Sequence, residues 1–166
     1  MDNEAQVLGS IIGFSIGLAG FSGVIIVFAN HRRKSPVEKY RIINLLLASF
    51  IPGFTGFAAM AISQYVADVG SRWQMSCLIL ALCYLTFLLV MVVGRYRLSI
   101  EQQAFIHTRL WLLIVTIIAA AGLALFMAAY GVFEQHTFGI FYLGSIFLLL
   151  IGVIQFVIAV LADPAE

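Results

Sequence analysis

The side chains that most often carry out chemistry are few in this sequence and lie far apart. The three histidines are His31, His107 and His136, and the two cysteines, Cys77 and Cys83, lie within one apolar segment. The long apolar segments contain no carboxylate pair and no His-Glu-x-x-His motif, which would indicate acid–base or zinc chemistry. The sequence therefore predicts surface histidines, packed cysteines, no metal and no cofactor.

One alternative interpretation of the sequence includes a reactive site. His31, Glu38, Glu101 and His107 lie outside the apolar segments and could converge at one end of the molecule. Their spacing matches no reactive set that we know. A membrane-embedded enzyme is accordingly a minor alternative, and a non-catalytic protein is the main prediction.

The densest run of charge is the stretch 30–41. It holds five of the nine lysines and arginines, namely Arg32, Arg33, Lys34, Lys39 and Arg41. A cationic loop between apolar segments sets membrane orientation and can also attract anionic lipid headgroups. Because the net charge is only +1 and no extended basic face occurs, nucleic acid is not an expected partner.

The composition is that of a membrane protein. The chain is 63% hydrophobic and 10% charged, with a mean hydropathy of +1.07, whereas soluble domains carry about 25% charged residues. The segments long enough to span a bilayer as helices are approximately 6–29, 41–66, 73–94, 109–131 and 138–162. Since backbone polar groups in lipid must be satisfied internally, we predict an all-α bundle of five transmembrane helices forming a single domain over 1–166.

Capping patterns predict where some helices begin. Ser35 and Glu38 form a capping-box pattern with Pro36 at the first helical position. Ser71 with Gln74 suggests a cap for the third helix. Ser99 with Gln102 suggests that the fourth helix begins near Ile100, and Thr137 is the expected cap of the fifth.

Loop charges predict the orientation. The first and third loops hold eight of the nine cations and lie on the same side of the membrane. The positive-inside rule places them in the cytoplasm, with the N-terminus outside and the C-terminus inside. The acidic start is unlike a secretory signal, so we expect the first helix to be retained. Short loops and the lack of a glycosylation sequon favour a bacterial inner membrane.

The first helix is rich in glycine. Gly9, Gly13, Gly17, Gly20 and Gly23 fall within an arc of about 120° at 100° per residue, and we call them the glycine row. Small residues at this spacing allow the backbone of another helix to approach closely. The partner is either a helix of the same chain or one from a second copy or a foreign subunit.

Polar or irregular positions occur on two other helices. Pro52, Gly53 and Gly56 near the middle of the second helix predict a kink, which is either static or a hinge beside a transport pathway. Asn44 and Gln155 are deeply placed amides, for which interhelical hydrogen bonds are expected.

These features favour a non-catalytic accessory, scaffold or assembly component that acts through helix–helix contacts. Its expected partners are the lipid bilayer, a second copy or another membrane protein, and anionic lipid headgroups. The alternative is a small oligomeric transporter or channel with Pro52–Gly56 near the pathway.

Overall fold

A computed structural model of the chain describes residues 2–28, 35–104, 106 and 108–161, and this part of the molecule is helical without any strand. The helices are α1 (Asp2–Phe28), α2 (Pro36–Tyr65), α3 (Val69–Tyr96), α4 (Ile100–Ala104), α5 (Thr108–Ala129) and α6 (Thr137–Leu161). A 3₁₀ turn, Glu134–His136, leads into α6. All but the short α4 are long and apolar enough to cross a membrane.

The surface of the bundle is as apolar as its interior. Large hydrophobic side chains on different helices are more than half exposed, among them Phe50 (58%), Leu85 (63%) and Leu143 (65%). At 1.5 Å per residue, the 28 residues of α3 extend about 42 Å, close to the full thickness of a bilayer with its headgroups. The predicted class, an all-helical protein with five membrane-length helices, is confirmed.

α3 forms the centre of the core. Its buried residues recur mostly at spacings of three and four residues and so form a stripe that faces α2, α5 and α6. Tyr84 is the largest of its side chains that are less than 2% exposed, and its hydroxyl donates a hydrogen bond to the Gly144 carbonyl of α6 over 2.8 Å. The Cys77 thiol contacts the Thr137 carbonyl of α6 at 3.5 Å. Both cysteines are free, as expected.

α1 lies at the edge of the bundle. It packs mainly on α2 and to a lesser extent on α6. Where α1 and α6 meet, a Cβ on Gly152 would lie 2.8 Å from Leu18, so this glycine permits a close approach. Most of the circumference of α1 is left without a neighbour in the described chain.

The two ends of the bundle differ in charge. One end, the basic end, carries the cations Lys39, Arg41, Arg95, Arg97 and Arg109, since α2, α4 and α5 begin there and α3 ends there. At the opposite, acidic end lie Glu4, Asp68, Arg72 and Glu134. Arg32, Arg33 and Lys34 lie outside the described residues.

The predicted start of the second helix is confirmed, whereas the predicted start of the fourth spanning helix is not. Ser35 and Glu38 form a reciprocal capping box, with Pro36 opening α2. Ser99 and Gln102 form the same pair of hydrogen bonds at the start of a helix near Ile100. That helix is the separate α4, however, and the predicted fourth span is α5.

The predicted cap of the third helix is wrong. Asp68, rather than Ser71, is the N-cap of α3, and its carboxylate accepts a hydrogen bond of 2.7 Å from the Ser71 backbone N–H. This hydrogen bond lowers the pKa of Asp68 below its ordinary value. A carboxylate at a helix start is favoured by the helix dipole as well as by the N–H.

The residue predicted to cap the fifth helix, Thr137, is not its N-cap. It is the first residue of α6, and its hydroxyl bonds back to the carbonyls of Phe133 and Glu134 at 3.0 Å each. The 3₁₀ turn supplies the entry to α6 in place of a side-chain cap.

Candidate functional site

The glycine row lies on the outer face of α1. A Cβ added at Gly9, Gly13, Gly17, Gly20 or Gly23 would meet nothing within 4 Å in the described chain. The residues of α1 that are buried against α2 and α6 lie on another face, and they are Leu8, Ile11, Ile12, Ser15 and Ser22. At 100° per residue the centres of the two faces are about 135° apart.

This geometry bears on the partner of the glycine row. Of the two partners that the sequence leaves open, a helix of the same chain is not found among the described residues. The closest approach of α1 to α2 uses the opposite face, where Ser15 and Ile12 meet Gly53 and Gly56. The role of the glycine row in packing therefore stays a prediction, and it now concerns a partner outside this chain.

A groove lies directly beside the glycine row. It runs between α1 and α2, has a volume of about 500 Å³ and is lined only by apolar surface. Ile16 forms its wall on α1, and Phe50, Phe54 and Phe57 form its wall on α2. Ile16 points in a direction that lies within the arc of the glycine row. A helix that docks on the glycines would thus find a groove for its larger side chains along one flank.

Pro52 lies in a continuous helix, and side-chain hydroxyls donate to two carbonyls near it. Proline removes the hydrogen bond to the residue four positions earlier and disturbs the preceding turn. The Ser15 hydroxyl of α1 donates to the Ser49 carbonyl in that turn. Within α2, the Thr55 hydroxyl donates to the Ile51 carbonyl at 2.9 Å.

Gly53 and Gly56 are buried, and both are required by the close contact with α1. A Cβ on Gly53 would lie 2.9 Å from the Ser15 Cβ, and one on Gly56 would lie 2.9 Å from Ile12 Cγ1. The segment that the sequence marks as a kink or hinge is thus a close contact between α1 and α2. That this segment acts as a hinge stays a prediction.

Ser15 lies in a Gly-x-Ser-x-Gly sequence, Gly13 to Gly17, a pattern that in hydrolases marks a nucleophile on a strand-to-helix turn. Here the serine lies in the middle of a helix, and its hydroxyl is buried and bonded to the Ser49 carbonyl. The local structure that exposes such a nucleophile is absent at Ser15. The pattern reflects helix packing in this context.

The two predicted interhelical amides differ in burial. Asn44 is 2% exposed, and its Oδ1 has no hydrogen-bond partner among the described residues. Gln155 on α6 is half-buried. No interhelical hydrogen bond from either amide to another described residue is observed, so their predicted role is not yet supported.

A polar cluster at the basic end had no clear signal in the sequence. The Arg95 guanidinium lies 4.4 Å from the Trp111 ring centroid and donates to the Thr108 hydroxyl at 3.0 Å. Trp111 Nε1 donates to the Tyr40 hydroxyl at 3.0 Å, which in turn donates to the Met91 carbonyl at 3.1 Å. Tyr40 and Trp111 thus join α2, α3 and α5.

The remaining charged positions are spread out. Lys39 is exposed and Arg41 half-buried on the first turns of α2. Glu38 is engaged in its capping box, Glu101 is exposed on α4, and His31 and His107 lie outside the described residues. Within the described ranges, no group of three or more His, Cys, Asp or Glu could hold a metal ion.

Comparison with protein-family models, with curated proteins and with solved structures finds no match for this chain. The described geometry defines a bundle with five membrane-length helices and, on the edge helix α1, a face of small residues that the described chain does not cover.

Proposed function

We propose that this protein is a non-catalytic accessory, scaffold or assembly component of a membrane, and that it binds its partner through the glycine row of α1. The observation that carries the proposal is the open space above all five glycines of the row. Helices in lipid associate through small residues because these permit close backbone contact. The partner is a helix of a second copy or of another membrane protein.

The groove beside the glycine row supports the same proposal. Small residues alone occur on many helices, but here they lie next to a groove of about 500 Å³ whose walls include exposed phenylalanines. A row of small residues beside a groove forms a depression into which a ridge of side chains on another helix packs. Lipid chains would fill this depression less efficiently than an interdigitating helix.

We further propose that the basic end faces the cytoplasm of a bacterium, with the N-terminus outside and the C-terminus inside. The charge difference between Lys39, Arg41, Arg95, Arg97 and Arg109 at one end and Arg72 at the other supports this orientation. Reporter fusions should place the 30–41 loop and the C-terminus in the cytoplasm. An external C-terminus would rule out this orientation.

The alternative, a small transporter or channel with Pro52–Gly56 near its pathway, has less support. Pro52, Gly53 and Gly56 are buried, and both glycines pack closely against α1. The alternative predicts that Pro52→Ala changes flux without changing the amount of protein in the membrane. Unchanged flux would remove the reason for placing a pathway there.

Native mass spectrometry of the gently extracted protein tests the main proposal. We expect either a stoichiometric foreign subunit or a defined homo-oligomer. Gly13→Leu should abolish that association, because a large side chain blocks the close approach of a helix.

Gly139→Leu provides a matched control for this experiment. Gly139 is also open, because none of the residues that the structure describes comes within 4 Å of an added Cβ, but it lies on α6 outside the glycine row. This variant should keep the association. A monomer without a partner in the wild type, or equal association in the Gly13→Leu variant, would contradict the proposal.

A further inference from the structure

A second groove opens at the basic end, between α2 and α3, away from the glycine row. Its volume is about 480 Å³. Lys39 and Arg97 lie at its charged mouth, and Ile43, Leu89 and Val93 line its apolar part. These three apolar side chains are between 40% and 60% exposed, so the groove is open to the surroundings of the bundle.

The groove has a fixed floor made by Tyr40 and Gly94. A Cβ on Gly94 would lie 2.8 Å from Tyr40 Cδ2, so only glycine lets the Tyr40 ring rest against α3 at this point. The Tyr40 hydroxyl is held at both sides, by the Met91 carbonyl and by Trp111 Nε1. The floor is therefore built by a hydrogen-bonded contact between three helices.

The polarity of the groove changes along its length. From Arg97 to Leu89 the helix rises by about 12 Å, at 1.5 Å per residue. Over this distance the lining changes from cations at the end of the helices to aliphatic side chains toward the middle. In a bilayer the cations would lie at the depth of the headgroups and the aliphatic residues at the depth of the acyl chains.

We propose that this groove binds one anionic phospholipid, with its phosphate between Lys39 and Arg97 and an acyl chain along Ile43, Val93 and Leu89. Charge complementarity selects an anionic headgroup, because both residues at the mouth are basic. The apolar continuation selects a lipid over a soluble phosphate. The proposal does not depend on the α1 interface, since no side chain that the structure describes on α1 lines this groove.

Native mass spectrometry can count the lipids that stay bound. The purified full chain in detergent is titrated with dioleoyl-phosphatidylglycerol and, separately, with dioleoyl-phosphatidylcholine. We expect one phosphatidylglycerol to bind more tightly than phosphatidylcholine. The double variant Lys39→Gln/Arg97→Gln should weaken phosphatidylglycerol binding about 30-fold, from about fivefold per cation near the surface.

A charge-matched variant separates the groove from the general charge of this end. Arg41→Gln/Arg109→Gln removes two cations from the same end but outside the groove, and it should leave the phosphatidylglycerol affinity within about twofold. An equal loss in both double variants, or no preference for phosphatidylglycerol in the wild type, would overturn the proposal.

Val93→Trp tests the acyl part with all charges in place. The larger side chain fills the apolar part of the groove and should weaken phosphatidylglycerol binding at least several-fold. Glycerol 3-phosphate, which has the headgroup charge without acyl chains, should not displace the lipid. Unchanged binding in Val93→Trp, or displacement by glycerol 3-phosphate, would show that no lipid chain lies in the groove.

Discussion

The glycines of α2 and those of α1 differ in what surrounds them. Gly53 and Gly56 of α2 are buried, and the space that a Cβ would need is already taken by Ser15 and Ile12. Gly13 and Gly17 of α1 are exposed, and no atom of the described residues lies within 4 Å of the same position. Both sets occur in the middle of apolar, membrane-length helices.

The difference shows at which glycines a contact within the described chain explains why glycine is present. Glycine in a helix is less favourable than alanine by roughly 0.8–1 kcal/mol. At Gly53 and Gly56 the close contact between α1 and α2 offsets this cost. At the glycine row no described contact does so, and a docked helix from outside the chain would provide the missing contact.

The strongest test of this comparison is to place the same large side chain on each helix. Gly53→Leu should destabilise the bundle by about 3 kcal/mol or more, because the new side chain overlaps the Ser15 Cβ. Gly17→Leu should leave the stability of the dissociated protein unchanged or slightly higher. Thermal unfolding in detergent, followed by circular dichroism, measures both, and equal destabilisation would remove the distinction.

A packed glycine elsewhere should behave like Gly53 rather than Gly17. Gly94→Ala brings a Cβ within 2.8 Å of the Tyr40 ring, so we expect a loss of about 1–2 kcal/mol and a displaced ring. Because Trp111 Nε1 bonds to the Tyr40 hydroxyl, the tryptophan emission should also shift. Gly139→Ala is the control at an open position, and a similar effect there would show that alanine is harmful at any of these glycines.

A smaller effect is expected from the hydrogen bond that accompanies the α1–α2 contact. Ser15→Ala removes the donor to the Ser49 carbonyl beside Pro52, and we expect a loss of about 1 kcal/mol. Ser10→Ala is the control, because the Ser10 hydroxyl is exposed and bonds within its own helix to the Gln6 carbonyl. If both variants unfold alike, the Ser15 hydrogen bond does not stabilise the contact.

The smallest effect is expected at a position that involves neither set of glycines. Asp68→Ala removes the cap of α3 and should lower the unfolding midpoint slightly at neutral pH. The folded-state pKa of Asp68 is lowered by the Ser71 N–H, so its stabilisation is complete above the ordinary carboxyl pKa. It is lost as the pH falls through the lowered pKa. A midpoint difference between wild type and Asp68→Ala that persists in strong acid would contradict this cause.

The sequence predicted much of the fold because helix formation in lipid depends on local features. The capping box at Ser35 and the five apolar segments led to the observed helices within a few residues. At α3 the sequence pattern pointed to Ser71 as the cap, but the carboxylate of Asp68 takes this role. The capping-box pattern did not identify Asp68.

The sequence could not show which face of α1 points inward. In water an inward face is apolar and an outward face polar, but in lipid both are apolar, so periodicity does not separate Gly13 from Ile12. The partners of Ser15, Gly53 and Tyr40 follow from contacts between distant segments. These contacts became visible only with the packed helices.

Photo-crosslinking in the native membrane tests most directly whether the glycine row binds another protein. A photoreactive phenylalanine analogue is placed at Ile16, within the arc of the glycine row, and in a separate variant at Ile117, exposed near the middle of α5. We predict a specific protein adduct from position 16, either with a second copy or with a foreign subunit, and only lipid adducts from position 117. If position 16 also yields only lipid adducts, the outer face of α1 borders lipid and the proposed interface does not exist.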